Sequence, residues 1–252
     1  MKQIKDVEEA RKVYDKIAKV YHAKRLIGKD WNELIEQPTS FALLNNVKGK
    51  KVLDAGCGSG IYSKILAKKG AIVSGLEISQ NMLDFAKEHC KDYKIEFKRG
   101  SVDKLPYKND SFDIVLASLV IGYLKKPENA FKEFRRVLKK NGILVFSTGH
   151  PICDALKGIK SQKNKKIILI SDYFKKGKYY WKLHKSNVRI PAYRIGFERL
   201  FDMIYKNGFI VEKFKEPFIS KKQLEGLPHN IEHHRKLIEV PTFIVLRCRK
   251  LK

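Results

Sequence analysis

No run of this chain approaches the roughly 20 apolar residues that cross a bilayer. Its first residues, MKQIKDVEEARK, are charged where a secretory leader would be apolar. These absences predict a cytoplasmic protein without membrane insertion. Cysteine is scarce: Cys57, Cys90, Cys153 and Cys248 fall at unpaired spacings, which suits a reducing compartment and argues against a Cys-based zinc site. Acidic residues are also in deficit, 27 against 53 basic ones, so the formal net charge is +26. The excess is carried mainly by lysine. Nucleic-acid readers tend to use arginine forks and clustered patches, whereas these lysines run through nearly every expected helix as solvated faces. One cluster stands apart. KGIKSQKNKK at 157–166, continuing in KKGKYYWKLHK at 175–185, interleaves basic and aromatic residues. Two readings of it are open: a surface for RNA or an anionic small molecule, and a lysine-rich surface loop.

What is present is enough apolar material, 43% of the residues, for a sizeable core in one α/β domain. Val7, Ala10, Val13, Tyr14, Ile17 and Tyr21 share a side of a helix over 6–24. The stretch KVLDAGCGSGIYSKIL, 51–66, places three glycines between a strand end and a run with helical spacing. Such a turn brings backbone N–H groups and a helix N-terminus close to an anionic or polar ligand. Strands are expected at 71–77, 94–98, 112–118 and 143–148. Helices are expected from Ser79, as its cap, and from Pro127 to a stop at Asn141-Gly142. Alternating strands and helices with apolar strands indicate a parallel, doubly covered sheet, with ligand at the strands' carboxyl ends. A helix near 195–207 and the runs FIVEKF and TFIVLRC follow, and the two runs are expected to pair antiparallel at the sheet edge. The resulting division is a helical cap at 1–45, a cofactor-binding core at 46–149, a substrate-side insertion at 150–194, and a closing helix and strand pair at 195–252.

The glycines do not fit a dinucleotide fingerprint, because Gly56, Gly58 and Gly60 bring the third glycine one residue early. Glu77, ending the second strand, suits a grip on two ribose hydroxyls, or else is a surface carboxylate. VLDAGCGSG, GLEISQNML, LPYKNDSFDIVLAS and EFRRVLKKNGILVFS, in this order and spacing, resemble the class I S-adenosylmethionine-dependent methyltransferases of the ubiquinone/menaquinone-biosynthesis type. The resemblance is strong over about 45–150. It implies a Rossmann-like, doubly wound seven-stranded sheet, mostly parallel with an antiparallel last strand. It also implies S-adenosyl-L-methionine as cofactor.

By this resemblance Asp54, Gly56, Gly58 and Gly60 hold the methionine end, with Asp54 near the amino group. Glu77 takes the ribose, and Ile78 and Met82 flank the adenine. Where relatives commonly have Gly-Asp after the third strand, this chain has Gly100-Ser101, so adenine recognition is expected from Ser101 and the backbone of Val102. Ala117 and Ser118 line the methionine side. Relatives' histidine pair after the fourth strand is replaced by Gly122 and Tyr123. Tyr14 and Tyr21 either close over the cofactor or serve helix packing. His150, in STGHPI, is either a general base for the acceptor or an orderer of the His-Pro turn. In HNIEHHR, His229 and His233 stand four apart, but the glutamate is misplaced for H-E-x-x-H and no third ligand is evident, so no metal is expected. Tyr173, Phe174, Tyr179, Tyr180 and Trp181 suit a planar or apolar small-molecule acceptor. The rivals are an RNA methyltransferase using the same aromatics, and a cofactor-binding protein without catalysis.

Overall fold

In the strand Lys51–Ala55 (β1), Val52 and Leu53 face opposite ways, and both are fully buried in separate apolar clusters. Leu144, Val145 and Phe146 repeat the alternation in Leu138–Gly149 (β5), so the sheet carries a core on each face. A computed structural model of the chain describes residues 2–27, 31–162, 165–183, 187–220 and 240–251.

The chain begins with α1 (Lys2–Leu26) and, after a π-helical turn at Asn32–Glu36, α2 (Gln37–Leu44). Then β1, Ile72–Glu77 (β2), Glu96–Arg99 (β3), Phe112–Ala117 (β4) and β5 alternate with Ile61–Lys68 (α3), Gln80–His89 (α4) and Pro127–Val137 (α5). Beyond β5 come α6 (Pro151–Ala155) and four strands, Leu156–Gln162 (β6), Lys165–Ile170 (β7), Gly177–Lys182 (β8) and Arg189–Arg194 (β9). They form two separate antiparallel hairpins. Phe197–Lys206 (α7), Phe209–Lys215 (β10) and Phe243–Lys250 (β11) complete the described chain.

The main sheet has seven strands in the order β10-β11-β5-β4-β1-β2-β3. Only β11 runs against its neighbours, pairing antiparallel with both β5 and β10. The expected C-terminal pair is therefore present, but β11 sits inside the sheet and β10 alone forms the edge. From β1 the chain runs outward through β2 and β3 on one side and through β4 and β5 on the other, so the turn after β1 lies at the topological switch point.

Two boundaries differ from the sequence pattern. The helix beginning at Pro127 ends at Val137, before Asn141-Gly142, because Leu138 adopts extended backbone and pairs with Phe112. Asn141 then takes a left-handed φ of 61° within β5. The third strand starts at Glu96, two residues later than expected. α5 covers one face with Ala130, Phe131, Phe134 and Val137, all fully buried. Truncating Phe131 to alanine is expected to cost about 3–5 kcal/mol.

α1 crosses the carboxyl end of the sheet and is held at two places. Asp15 accepts from Ser79 Oγ at 2.6 Å at the start of α4, and Glu9 pairs with Lys178 and accepts from the Tyr180 hydroxyl at 2.9 Å on β8. Just beyond Asp15, Ile17 packs with Leu183 and Ile190 in a small cluster that also holds Tyr14, Tyr21, Tyr123 and Trp181.

Candidate functional site

The three glycines of the turn after β1 share positive φ, 81° at Gly56, 54° at Gly58 and 81° at Gly60, but meet different surroundings. A Cβ on Gly56 would lie 2.7 Å from Val120 Cγ2, and one on Gly60 3.1 Å from Ala86 Cα. Those two glycines allow the backbone to pack closely. A Cβ on Gly58 would meet nothing within 4 Å and would enter open space above the turn.

Glu77 ends β2 facing that space. Its Oε2 accepts the Gly58 N–H at 3.0 Å, and its Oε1 accepts those of Ile78 and Ser79 at 2.9 Å each. Three backbone donors thus fix the carboxylate and stitch the glycine turn to the next strand. They do not fill its lone pairs, since an ionised carboxylate has about four acceptor sites. Burial raises the Glu77 pKa, with these donors opposing the rise. Ser79 caps α4 by accepting the Met82 N–H at 3.2 Å, which sets Met82 on the cavity wall.

Asp54, at the end of β1, is buried and accepts from Ser63 Oγ at 2.6 Å. Burial first, and the charge of Glu77 besides, push its pKa up to about 7. Near it lies buried Arg25, ion-paired with Glu33 and set over the rings of Tyr21 and Tyr62 at 5.8 and 5.7 Å. Behind them Glu36 accepts hydroxyls from Tyr62, from Ser40 at 2.6 Å and from Ser118 at 3.1 Å, tying the N-terminal helices to α3 and to the end of β4.

These groups open on one cavity of about 740 Å³, inside the roughly 300–1,000 Å³ range of small-molecule and cofactor sites. Of the residues singled out in the sequence, Tyr14, Tyr21, Asp54, Gly56, Gly58, Glu77, Ile78, Met82, Ser101, Val102 and Ser118 line it. Gly60 and Ala117 do not; Gly60 packs against α4, and Ala117 is wholly enclosed in β4.

His150 is not brought to the cavity either. Its Nδ1 accepts the Ile152 N–H at 3.1 Å, capping α6, and its Nε2 lies 2.8 Å from Glu216 Oε1. Both ring nitrogens are engaged, and Phe197 packs edge-on at 5.2 Å. Burial lowers its pKa, with Glu216 opposing. The ring thus caps the helix that opens at the His-Pro pair.

The cavity continues past the ends of β4 and β5 under the β8–β9 hairpin. There the Tyr14 hydroxyl donates to that of Tyr123 at 2.7 Å, and the Tyr179 hydroxyl donates to Asp154 Oδ1 at 2.8 Å. Trp181 and Tyr193 complete this wall. Tyr173 and Phe174 lie in the β7–β8 connection, with Phe174 90% exposed, and Tyr180 faces outward to Glu9. Sequence reasoning gave no role to Arg25, Tyr123 or Asp154. Tyr123 stood in a recognisable position with an atypical residue, whereas Arg25 and Asp154 carry no local motif. Among the described residues no group of three or more His, Cys, Asp or Glu side chains is placed to hold a metal ion. The segment HNIEHHR lies outside them. No helix among the described residues is long and apolar enough to cross a membrane.

Comparison with known proteins bears on this cavity. Residues 53–146 match the family model described as a methyltransferase domain. An uncharacterized protein of Haemophilus influenzae is 28% identical over 254 residues, covering 95% of this chain and 97% of its own length. The ubiquinone biosynthesis O-methyltransferase of Coxiella burnetii is 36% identical over 104 residues, 40% of this chain; the match spans 44% of that enzyme's length. The solved structure of an S-adenosylmethionine dependent methyltransferase from Mesorhizobium loti superposes with a TM-score of 0.72 at 27% identity. That match covers 85% of this chain and 97% of the other.

Proposed function

From the premise that the chain carries an S-adenosylmethionine-dependent methyltransferase domain, we propose that it transfers the methyl group to a small-molecule acceptor held under the β8–β9 hairpin. One observation carries the reading. The cavity that starts at the glycine turn extends to a wall formed by Tyr14, Tyr123, Tyr179, Trp181 and Tyr193. Of these, Tyr179 and Trp181 are aromatics that a nucleobase-stacking surface would need on the outside.

The donor set fits the cofactor. Asp54 and Glu77 are two buried carboxylates facing one cavity, and burial disfavours the charge of both. An ammonium beside Asp54 and a diol on the free lone pairs of Glu77 would relieve that cost. Gly58 leaves room where any Cβ would intrude. Arg25 supplies the positive charge suited to a carboxylate. Ile78, Met82 and Val102 offer apolar surface to a purine, and Ser101 one hydroxyl to its edge.

When bound, S-adenosylmethionine supplies a sulfonium methyl already activated for in-line displacement. The chain's own task is to hold the nucleophile on axis at about 3 Å and to keep water out, and proximity supplies most of the acceleration. Tyr14 and Tyr123 meet hydroxyl to hydroxyl on the wall of the acceptor half, where they would narrow the acceptor's approach.

Incubating the purified protein with methyl-labelled S-adenosylmethionine and a cell extract, with and without ribonuclease, tests the proposal. Label in small metabolites, indifferent to ribonuclease, is the expected result. Label in large ribonuclease-sensitive material would overturn it in favour of RNA.

A further inference from the structure

Tyr14, Tyr123 and Tyr179 end in hydroxyls whose protons burial holds on, and Cys153 is a thiol pushed up to about 11. None of these takes a proton at neutral pH. Asp154, in the first turn of α6 directly after β5, is different. Its Oδ1 accepts from Tyr179, and no hydrogen bond occupies its Oδ2 among the described contacts.

The groups around Asp154 are few and come from every side. Cys153 adjoins it on α6. From β8 comes Tyr179, with the Arg194 guanidinium of β9 5.3 Å from the centre of that ring. At the end of β5 the Gly149 backbone leaves space that a Cβ would close to 3.2 Å from Oδ1. His150, the cap of the same short helix, pairs away from the cavity with Glu216. Desolvation outweighs the Tyr179 hydrogen bond and the Arg194 charge, and the carboxyl sits at about 6. It is therefore mostly ionised at neutral pH yet basic enough to accept a proton from a weak acid.

We propose that Asp154 is the general base of the reaction, and that the acceptor is a neutral phenol whose ring is held by the aromatic wall with its hydroxyl directed at Asp154 Oδ2. This rests on the small-molecule reading above. In the step, the phenol's O–H bond breaks and its proton passes to Oδ2. The oxygen forms the new bond to the methyl carbon while the carbon–sulfur bond breaks, its electron pair going to sulfur. One positive and one negative charge are thereby neutralised, leaving a methyl ether, a thioether and a protonated Asp154 that returns its proton to water. Tyr179 is a positioning residue. By filling Oδ1 it leaves Oδ2 as the oxygen open to the acceptor.

The test uses purified wild type, Asp154→Asn and Asp154→Glu with methyl-labelled S-adenosylmethionine and three probes: 4-nitrophenol, catechol and 4-methoxyphenol. 4-Nitrophenol is already largely ionised at mildly alkaline pH; the other two are not. Wild type is expected to methylate all three, with kcat/KM for catechol and 4-methoxyphenol rising with pH through about 6. In Asp154→Asn those two should fall by about 100-fold or more, the usual worth of a general base. 4-Nitrophenol should fall less than about tenfold, and Asp154→Glu should restore part of the lost rate. Binding of S-adenosylhomocysteine by calorimetry should match wild type, which also shows the variant to be folded. An equal loss on all three phenols, or none, would overturn the assignment. If Asp154→Asn does not fold, the wild-type pH profiles decide: a limb near 6 for the weak phenols and its absence for 4-nitrophenol support it, and identical profiles overturn it. Should none of the phenols be methylated while extract metabolites are, the phenol inference falls and the small-molecule reading stands. Label in RNA removes both.

Discussion

The end of the cavity at Glu77 and the end at Asp154 differ in how the chain assembles them. At the first, Asp54, Gly58, Glu77 and Ile78 lie within one strand-turn-helix-strand passage, and backbone N–H groups join them. At the second, Tyr14, Tyr123, Asp154 and Tyr179 come from α1, a 3-10 turn, α6 and β8, and meet only through side chains. A ligand common to many enzymes is served by rigid backbone at strand ends, where geometry changes little with sequence. An acceptor peculiar to one enzyme is served by side chains on added elements, which can be exchanged without disturbing the sheet.

If that contrast is right, the largest loss of cofactor binding comes from backbone positions. Gly58→Val places a branched side chain in the open space over the turn and strains a φ of 54°. It is expected to abolish measurable S-adenosylhomocysteine binding in calorimetry while circular dichroism stays native. Glu77→Ala removes both the diol acceptor and the anchor of three N–H groups, and should weaken binding by on the order of 2–4 kcal/mol. Unchanged affinity in a folded variant would sink the role given to Glu77.

A smaller effect follows from Asp54. Its folded pKa, about 7, is raised above the ordinary carboxylate value, so its protonation stabilises the unliganded fold at low pH. That contribution is lost as pH rises through 7. A bound ammonium favours the ionised form and opposes this trend. Affinity for S-adenosylhomocysteine should therefore rise by about tenfold, or about 1.4 kcal/mol, between pH 6 and 7.5, with proton release on binding. Asp54→Asn should flatten the dependence; a slope that survives in that variant assigns it elsewhere.

The smallest effect sharpens the contrast from the other side. Tyr123→Phe deletes the hydroxyl that accepts from Tyr14 and should cost about 1 kcal/mol of stability, read as a lowered Tm. Cofactor affinity should move by less than threefold, since the pair belongs to the acceptor half. A large fall in affinity would erase the boundary between the two halves.

The same contrast explains what the sequence reveals. The glycines, Glu77 and the Ser79 cap are legible because one local turn fixes them all. The inner strands β1, β2, β4 and β5 are legible because burial on both faces gives each a run of apolar residues. The end of α5 was not, since Leu138 suits the buried stripe of the helix as well as its actual place paired with Phe112 in β5. Nor was the interior place of β11, because FIVEKF and TFIVLRC are both apolar enough for either position. His150 follows a strand end, as a catalytic base would, yet its two nitrogens serve α6 and Glu216. Asp154 lies four residues further on without any motif, and only the fold of β8 brings Tyr179 to it.

α1 is held by Asp15 to the helix that follows Glu77, and by Glu9 to the hairpin that roofs Asp154. A single rod is thus hinged to both chambers. One helix therefore carries side-chain contacts to both ends of the cavity, so a substitution that removes either contact is expected to be felt at the other.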